Sequence, residues 1–176
     1  MSEKIILLDR DGVINEDSDA YIKSLDEWIP IEGSIEAIAL LTQKGYRIFV
    51  ITNQSGVGRG YFSLADLDAM DQKMHSLVNA AGGKIEAIYF CPHIPDEGCA
   101  CRKPKPGLLK QIAHDEKINL MGVPLVGDSL RDIEAAQQVG AHGILVRTGK
   151  GERMIKTENT DGISIYDNLF AVAQAL

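Results

Sequence analysis

Residues 4–12 read KIILLDRDG, an apolar run that ends in two acids and a glycine. A run that is apolar on both faces is typical of a buried parallel strand. Similar short runs recur along the chain, at residues 46–52, 87–90, 124–127 and 143–147. Because helical patterns lie between them, they predict an α/β fold in which helices cover both faces of a doubly wound parallel sheet.

The segments between these runs carry helix signals. Ser63 is a predicted N-cap, since apolar residues at helical spacing follow it, and Gly45 and Gly140 are predicted to end helices. Helices are expected over residues 34–44, 63–78, 106–117, 132–139 and 167–176. Residues 151–164 have little pattern and are expected to form only a connection.

The composition is that of one globular domain, which we expect to span residues 1–176. Of the 176 residues, 45% are apolar and 24% are charged, and this length supports a hydrophobic core. The net charge of −7 argues against binding to nucleic acid. No apolar run approaches the roughly 20 residues of a membrane span. We therefore expect a cytoplasmic monomer that acts on a small molecule.

Acidic side chains stand where the predicted strands end, which is where parallel α/β sheets bind their ligands. Asp9 and Asp11 follow the first strand, and Asp128 follows the fourth. Close carboxylates repel one another unless a cation compensates them, so these residues predict a divalent metal site. Asp132 lies one helical turn after Asp128 and is predicted to support that site.

Groups suited to a phosphate follow the second and third strands. Hydroxyl, amide and backbone N–H groups at a strand end can donate to phosphate oxygens, and arginine offers a planar fork. The candidates are Thr52, Asn53, Ser55, Arg59, Arg102 and Lys103. Either segment taken alone fits a solvated surface loop equally well.

Three cysteines and a histidine are concentrated between residues 91 and 101. Cys91-x-His93 and Cys99-x-Cys101 supply the four soft ligands of a closed tetrahedral zinc site. Because no position is left for water, the predicted role of zinc is structural. The alternative is unrelated thiols beside a surface histidine. An odd number of cysteines does not suggest a disulfide framework.

Together these groups predict phosphoryl transfer. Asp9, which lies nearest the strand end, is the expected nucleophile that forms an aspartyl-phosphate. Asp11 is the expected acid for the leaving oxygen and then the base for the attacking water. A divalent cation and a lysine offset charge on the transferring group. Each motif taken alone could be a solvated turn or loop without a function. For all of them to be so, acids, a hydroxyl group and cations would have to appear by chance at four successive strand ends.

Four motifs resemble those of the haloacid dehalogenase superfamily of phosphatases: Asp9-x-Asp11-Gly12, Thr52-Asn53, Lys103 and Gly127-Asp128-x3-Asp132. The inserted cysteine and histidine cluster is similar to that of a zinc-containing branch. The resemblance extends over residues 4–150 and implies a capless Rossmann-like domain with a small zinc loop.

The resemblance also implies roles for individual residues. Mg²⁺ is expected to be bound by Asp9, by the backbone carbonyl of Asp11 and by Asp128. Contacts to the phosphate are expected from Thr52, Asn53 and Lys103. Contacts to the rest of the substrate are expected from Ser55, Arg59 and Arg102.

The zinc-containing branch includes phosphatases of a heptose bisphosphate and of histidinol phosphate. Residues 52–60 and 146–150 resemble the heptose enzymes, in which an arginine follows the glycines as Arg59 does here. The loop between the zinc half-sites is closer in length to the histidinol-phosphate type. We expect hydrolysis of a heptose 1,7-bisphosphate for lipopolysaccharide or other surface-glycan synthesis, with histidinol phosphate as the alternative. The sequence leaves the anomer open.

Two functions of other classes explain the sequence less well. A phosphorylated receiver domain carries its phosphorylated aspartate after the third strand, where this chain has Cys91. A non-catalytic zinc-binding module leaves Asp9, Asp11 and Asp128 without a role.

Overall fold

The computed structural model describes residues 2–176 and contains one six-stranded sheet. The strands are β1 (Ile5–Leu8), β2 (Arg47–Asn53), β3 (Ala87–Cys91), β4 (Pro124–Gly127), β5 (His142–Val146) and β6 (Ser164–Tyr166). Their order is β3-β2-β1-β4-β5-β6, and every neighbouring pair is parallel. The predicted doubly wound parallel sheet is confirmed.

Helices cover both faces of the sheet. They are α1 (Ser34–Gln43), α2 (Ser55–Gly58), α3 (Leu64–Ala80), α4 (Gly107–Glu116), α5 (Leu130–Gln138), α6 (Gly151–Thr157) and α7 (Leu169–Ala175). Successive side chains of a strand point to opposite faces. Ile6 and Leu8 accordingly pack with residues of α1, α3 and α7, whereas Ile5 and Leu7 pack with residues of α4 and α5. Both faces of β1 are therefore buried.

The helix ends follow the signals in the sequence. Ser63 caps α3, because its hydroxyl accepts from the Asp66 N–H at 3.0 Å while the Asp66 carboxylate accepts from the Ser63 N–H at 2.8 Å. This reciprocal capping box satisfies two backbone donors that the helix leaves free. Gly45 and Gly140 follow α1 and α5 with φ of 86° and 73°, the left-handed conformation in which glycine meets no steric penalty.

The prediction for residues 151–164 was wrong. This segment forms α6 and then leads into β6, which pairs with β5 at the edge of the sheet. The helix has seven residues and the strand three, and the residues of β6 are only half-buried. Elements this short cannot develop a clear apolar period. Residues 55–58, expected within a loop, likewise form the single turn α2.

The strand order reverses between β1 and β4, which pair directly through Leu7 and Leu8. A crevice forms at such a switch point outside the carboxyl ends of the strands. Asp9 and Asp128 are the first residues beyond the two strands, so they meet in this crevice. Among residues 2–176, no helix combines the length and the apolar character needed to cross a membrane.

Candidate active site

Asp9 lies at the end of β1 and is almost fully buried. Its Oδ1 accepts from the Arg10 backbone N–H at 2.8 Å and from the Lys103 ammonium at 3.1 Å. Both contacts involve Oδ1, and neither involves Oδ2. The carboxylate therefore has a fixed orientation at the bottom of the crevice.

Lys103 is held on three sides within the protein. Its Nζ lies 2.6 Å from Asp132 Oδ1 and 3.1 Å from Asp9 Oδ1, and it donates to the Ile51 carbonyl at 3.0 Å. Asn53 fixes the backbone of Lys103, since its amide donates to the Lys103 carbonyl at 3.1 Å and accepts from the Lys103 N–H at 3.0 Å. Burial alone would lower the pKa of Lys103, but the charges of Asp132 and Asp9 outweigh it and raise that pKa.

Asp11 reaches the same crevice and is held by three donors. Its Oδ1 accepts from Arg10 Nε at 2.9 Å and from Asn15 Nδ2 at 3.0 Å, and its Oδ2 accepts from Gln54 Nε2 at 3.2 Å. Burial raises the pKa of Asp11, but the Arg10 charge and these hydrogen bonds outweigh it and lower the pKa. Gln54 also donates to Thr52 Oγ1 at 2.8 Å, which links Asp11 to the end of β2.

Asp128 forms a group of three buried carboxylates with Asp9 and Asp132. Its Oδ2 accepts from the Lys150 backbone N–H at 2.9 Å. Gly12 and Gly149 lie against it so closely that a Cβ at either position would collide with the carboxylate. This close approach explains why both turns use glycine, which also adopts the positive φ found at the two positions.

The carboxylates have the chemistry of a divalent cation site. Oxygens of Asp9, Asp128 and Asp132 all lie within 4.8 Å of one another. Burial raises the pKa of Asp9 to about 7, with the Lys103 charge opposing this and the Asp132 and Asp11 charges adding to it. Burial and the charges of Asp9 and Asp132 raise the pKa of Asp128 as well. A hard divalent ion among such oxygens would relieve this repulsion, so the residues present fit Mg²⁺.

These groups open into a cavity of about 200 Å³. All residues predicted to be catalytic, to bind substrate or magnesium, or to support that site line it: Asp9, Asp11, Thr52, Asn53, Ser55, Arg59, Arg102, Lys103, Asp128 and Asp132. The structure thus gathers onto one cavity the side chains that the sequence presents at four separate strand ends.

The cysteine and histidine cluster lies beyond the end of β3. The ligand atoms of Cys91, His93, Cys99 and Cys101 all lie within 4.8 Å of one another. The sulfur atom of Cys91 lies 3.0 Å from that of Cys101 and 3.5 Å from that of Cys99. The three thiols are free rather than paired in a disulfide. Tetrahedral zinc with Zn–S bonds of about 2.3 Å needs sulfur atoms about 3.8 Å apart, so a small expansion of this cluster accommodates the ion.

Several residues of the cavity were not identified from the sequence. Arg131 lies within the Gly127-Asp128-x3-Asp132 motif, directly before Asp132, and its charge beside a predicted site was a usable signal. Gln54 does not line the cavity but donates a hydrogen bond to Asp11. It lies within residues 52–60, and nothing in that stretch indicated this contact. Tyr21 and Asp17 come from the long segment between β1 and α1, where the sequence offers no motif. Their position depends on how that segment folds over the crevice.

Comparison with known proteins places the chain in a family. A family model for HAD-hydrolase-like proteins matches residues 100–169. The chain is 54% identical to the D-glycero-beta-D-manno-heptose-1,7-bisphosphate 7-phosphatase of Pseudomonas aeruginosa, over 100% of this chain and 99% of the relative. The enzyme of the same name from Pseudomonas putida is also 54% identical, over 98% of this chain and 99% of the relative.

A solved structure is similar over nearly the whole chain. The D,D-heptose 1,7-bisphosphate phosphatase of Bordetella bronchiseptica, crystallised with magnesium and phosphate, superposes with a TM-score of 0.95. The two sequences are 50% identical, and the match covers 98% of this chain and 97% of the other. With its fold, its carboxylate site and these relatives, the chain belongs to the haloacid dehalogenase-like hydrolases and, within them, to the D-glycero-beta-D-manno-heptose-1,7-bisphosphate 7-phosphatase family.

Proposed function

We propose that this protein hydrolyses the 7-phosphate of D-glycero-beta-D-manno-heptose 1,7-bisphosphate, with Asp9 as the nucleophile. The names of relatives at 54% identity support the substrate and the anomer. The observation that carries the proposal is that one cavity holds a reactive carboxylate site and a separate group of cations, which is what a substrate with two phosphates needs.

The cations are Arg59, Arg102 and Arg131, which we call the arginine rim. All three line the cavity, and within residues 2–176 none has a carboxylate within 4.0 Å. Burial and the charges of Arg131 and Arg59 lower the pKa of Arg102, as expected for guanidinium groups that repel one another. A phosphate would remove that repulsion through charge-assisted hydrogen bonds. Histidinol phosphate has one phosphate and would leave the rim without a ligand.

The proposed reaction has two steps. In the first, a carboxylate oxygen of Asp9 attacks phosphorus while the bond from phosphorus to the sugar oxygen breaks, and that oxygen takes a proton from Asp11. In the second, water gives a proton to Asp11 and attacks phosphorus, which releases phosphate and restores the Asp9 carboxylate. Lys103, Thr52 and Asn53 orient the phosphoryl group and stabilise its charge.

Asp9, the Asp11 backbone carbonyl and Asp128 are the residues proposed to hold Mg²⁺. When bound, Mg²⁺ supplies positive charge that favours the ionised nucleophile and neutralises the transferring phosphoryl group. Asp132 is proposed to act through Lys103, because its Oδ1 lies 2.6 Å from the Lys103 ammonium. Ser55 and the arginine rim are proposed to contact the remainder of the substrate.

We further propose that Cys91, His93, Cys99 and Cys101 bind a structural zinc ion. Burial raises the pKa of the Cys91 and Cys101 thiols. At Cys99, hydrogen bonds from the Arg102 backbone N–H and from the neighbouring thiols outweigh burial and bring the pKa to about 6. A thiol that ionises readily is suited to binding metal. Reduced thiols persist in the cytoplasm, which is where we place the protein and the surface-glycan precursor that it produces.

Replacing one zinc ligand is expected to affect stability more than chemistry. In Cys99→Ser, the zinc content should fall and Tm should drop by about 5 °C or more, since 1 kcal/mol shifts Tm by roughly 2–4 °C in a domain of this size. Elemental analysis and thermal melting measure both effects. Asp96→Asn, an exposed change in the same loop, is the control and should keep the metal. Purified wild-type protein without zinc would contradict the assignment.

Removing one cation of the arginine rim is expected to impair the bisphosphate selectively. Arg59 is exposed at the cavity, so Arg59→Ala should leave the fold intact. A charged hydrogen bond contributes about 1.5–3 kcal/mol, so KM for the heptose bisphosphate should rise roughly tenfold or more. KM for a heptose 7-monophosphate should change little. Lys156→Ala removes an exposed cation outside the cavity and serves as the control. Equal losses on the two substrates would contradict a role in binding the second phosphate.

A further inference from the structure

Arg10 is a fully buried arginine between the two catalytic aspartates. Its Nε lies 2.9 Å from Asp11 Oδ1, and its Nη1 lies 3.4 Å from Asp71 Oδ1 in α3. The guanidinium therefore connects the carboxylate proposed as acid and base to a helix that begins more than fifty residues later in the chain.

Burial of the Arg10 guanidinium is expected to cost folding stability, which suggests that this side chain has a function. An ion taken out of water is destabilising by several kcal/mol unless partners satisfy it, and an apolar side chain of similar volume often stabilises a core better. Arg10 even has a buried Nη2 without a hydrogen-bond partner among the described residues. Packing alone does not explain the choice of arginine.

The backbone at Arg10 is fixed independently of its side chain. The Arg10 carbonyl accepts from the N–H groups of Val13, Ile14 and Asn15 at 3.2, 2.8 and 3.3 Å. These bonds form the turn that follows β1 whatever side chain is present. The guanidinium is therefore not needed to form this turn. It is a rigid planar group that contacts Asp11 through Nε and Asp71 through Nη1.

We propose that Arg10 and Asp71 are positioning residues for Asp11. Asp71, whose side chain is only 14% exposed, holds the guanidinium, and the guanidinium keeps the Asp11 carboxylate in the rotamer that reaches the leaving oxygen. Asn15 and Gln54 complete the set of donors, but Arg10 alone ties the carboxylate to α3. This inference rests on the proposed acid and base role of Asp11.

The test compares two leaving groups in Asp71→Asn. The kcat/KM value reports steps up to formation of the aspartyl-phosphate. A sugar alkoxide must be protonated to leave, whereas 4-nitrophenolate leaves without a proton. Misplacing a general acid costs on the order of tenfold or more, so kcat/KM should fall by about that factor for the heptose bisphosphate and by less than about twofold for 4-nitrophenyl phosphate. Asp68→Asn, an exposed change on the same helix, should leave both values near those of the wild type.

A second measurement follows the slow residual hydrolysis of the heptose bisphosphate, with the enzyme in excess over the substrate. Adding Asp71→Asn to Asp11→Asn should not reduce the residual rate further, because the group that Asp71 positions is already gone. If Asp71→Asn melts well below the wild type, Arg10→Lys replaces it; lysine keeps the charge but lacks the fork, and the same dependence on the leaving group is expected.

The outcomes separate this inference from the proposed function. Two results would overturn the positioning role and leave the proposed phosphatase activity intact. One is an equal loss of kcat/KM for the heptose bisphosphate and for 4-nitrophenyl phosphate in Asp71→Asn, and the other is a further loss of rate in the Asp11→Asn background. A wild-type protein that releases phosphate from neither compound would overturn the proposed function and this inference with it.

Discussion

Asp9→Asn is expected to abolish phosphatase turnover, with a loss on the order of 10⁴-fold or more, because removal of a nucleophile leaves only the binding and electrostatic contributions to rate. The fold should survive. In the wild type, the Arg10 N–H donates to Asp9 Oδ1 at 2.8 Å, and the Oδ1 of asparagine can accept the same hydrogen bond. The pKa of Asp9 is already raised to about 7 by burial, so exchanging it for a neutral side chain removes little stabilising charge.

The measurement is phosphate release at saturating substrate, with circular dichroism to establish that Asp9→Asn is folded. The unfolding free energy should stay close to that of the wild type, since like charges crowded together in a buried site contribute little to stability. Turnover above about a hundredth of the wild-type rate, in protein free of deamidated asparagine, would refute the assignment of Asp9 as the nucleophile.

Lys103→Met is expected to abolish activity and also to destabilise the protein. Lys103 is 3% exposed and its ammonium is shared by Asp9 and Asp132. Breaking a buried ion pair by removing one partner typically costs about 3–5 kcal/mol. Both carboxylates lose their cation in this variant, so we expect a loss of unfolding free energy in that range when no divalent ion is present.

Urea unfolding in a chelating buffer measures this loss for Lys103→Met. Lys110→Met removes an exposed lysine from α4 and should change the unfolding free energy by less than about 0.5 kcal/mol. Mg²⁺ should restore part of the stability of Lys103→Met, because a cation again lies among the carboxylates. A variant as stable as the wild type in the chelating buffer would contradict the proposed role of Lys103 at the centre of the site.

The meeting of Asp9 and Asp128 could be predicted because each one directly follows an apolar strand. A parallel sheet brings all carboxyl ends of its strands to one edge, so Asp9 and Asp128 were expected to meet before their distance was known. The cluster of three cysteines and one histidine was predictable for a related reason. Cys91 ends β3, and its three partners follow within ten residues, so their association needs only one short loop.

The contacts that depend on distant packing could not be predicted. Arg10 and Asp71 are 61 residues apart in sequence, and nothing in either motif says that α3 passes beside the turn after β1. Tyr21 and Asp17 reach the cavity through a segment without periodicity. The elements α6 and β6 were missed because neither is long enough to display its apolar face.

The proposed substrate is tested most directly by comparing kcat/KM values in the presence of Mg²⁺. The compounds are both anomers of heptose 1,7-bisphosphate, histidinol phosphate and common sugar monophosphates. Recognition of the second phosphate by the arginine rim predicts that the beta heptose bisphosphate is hydrolysed at least about a hundredfold more efficiently than any monophosphate, since two or more charged hydrogen bonds contribute to its binding. A preference for histidinol phosphate would contradict the proposed substrate and the role of the arginine rim.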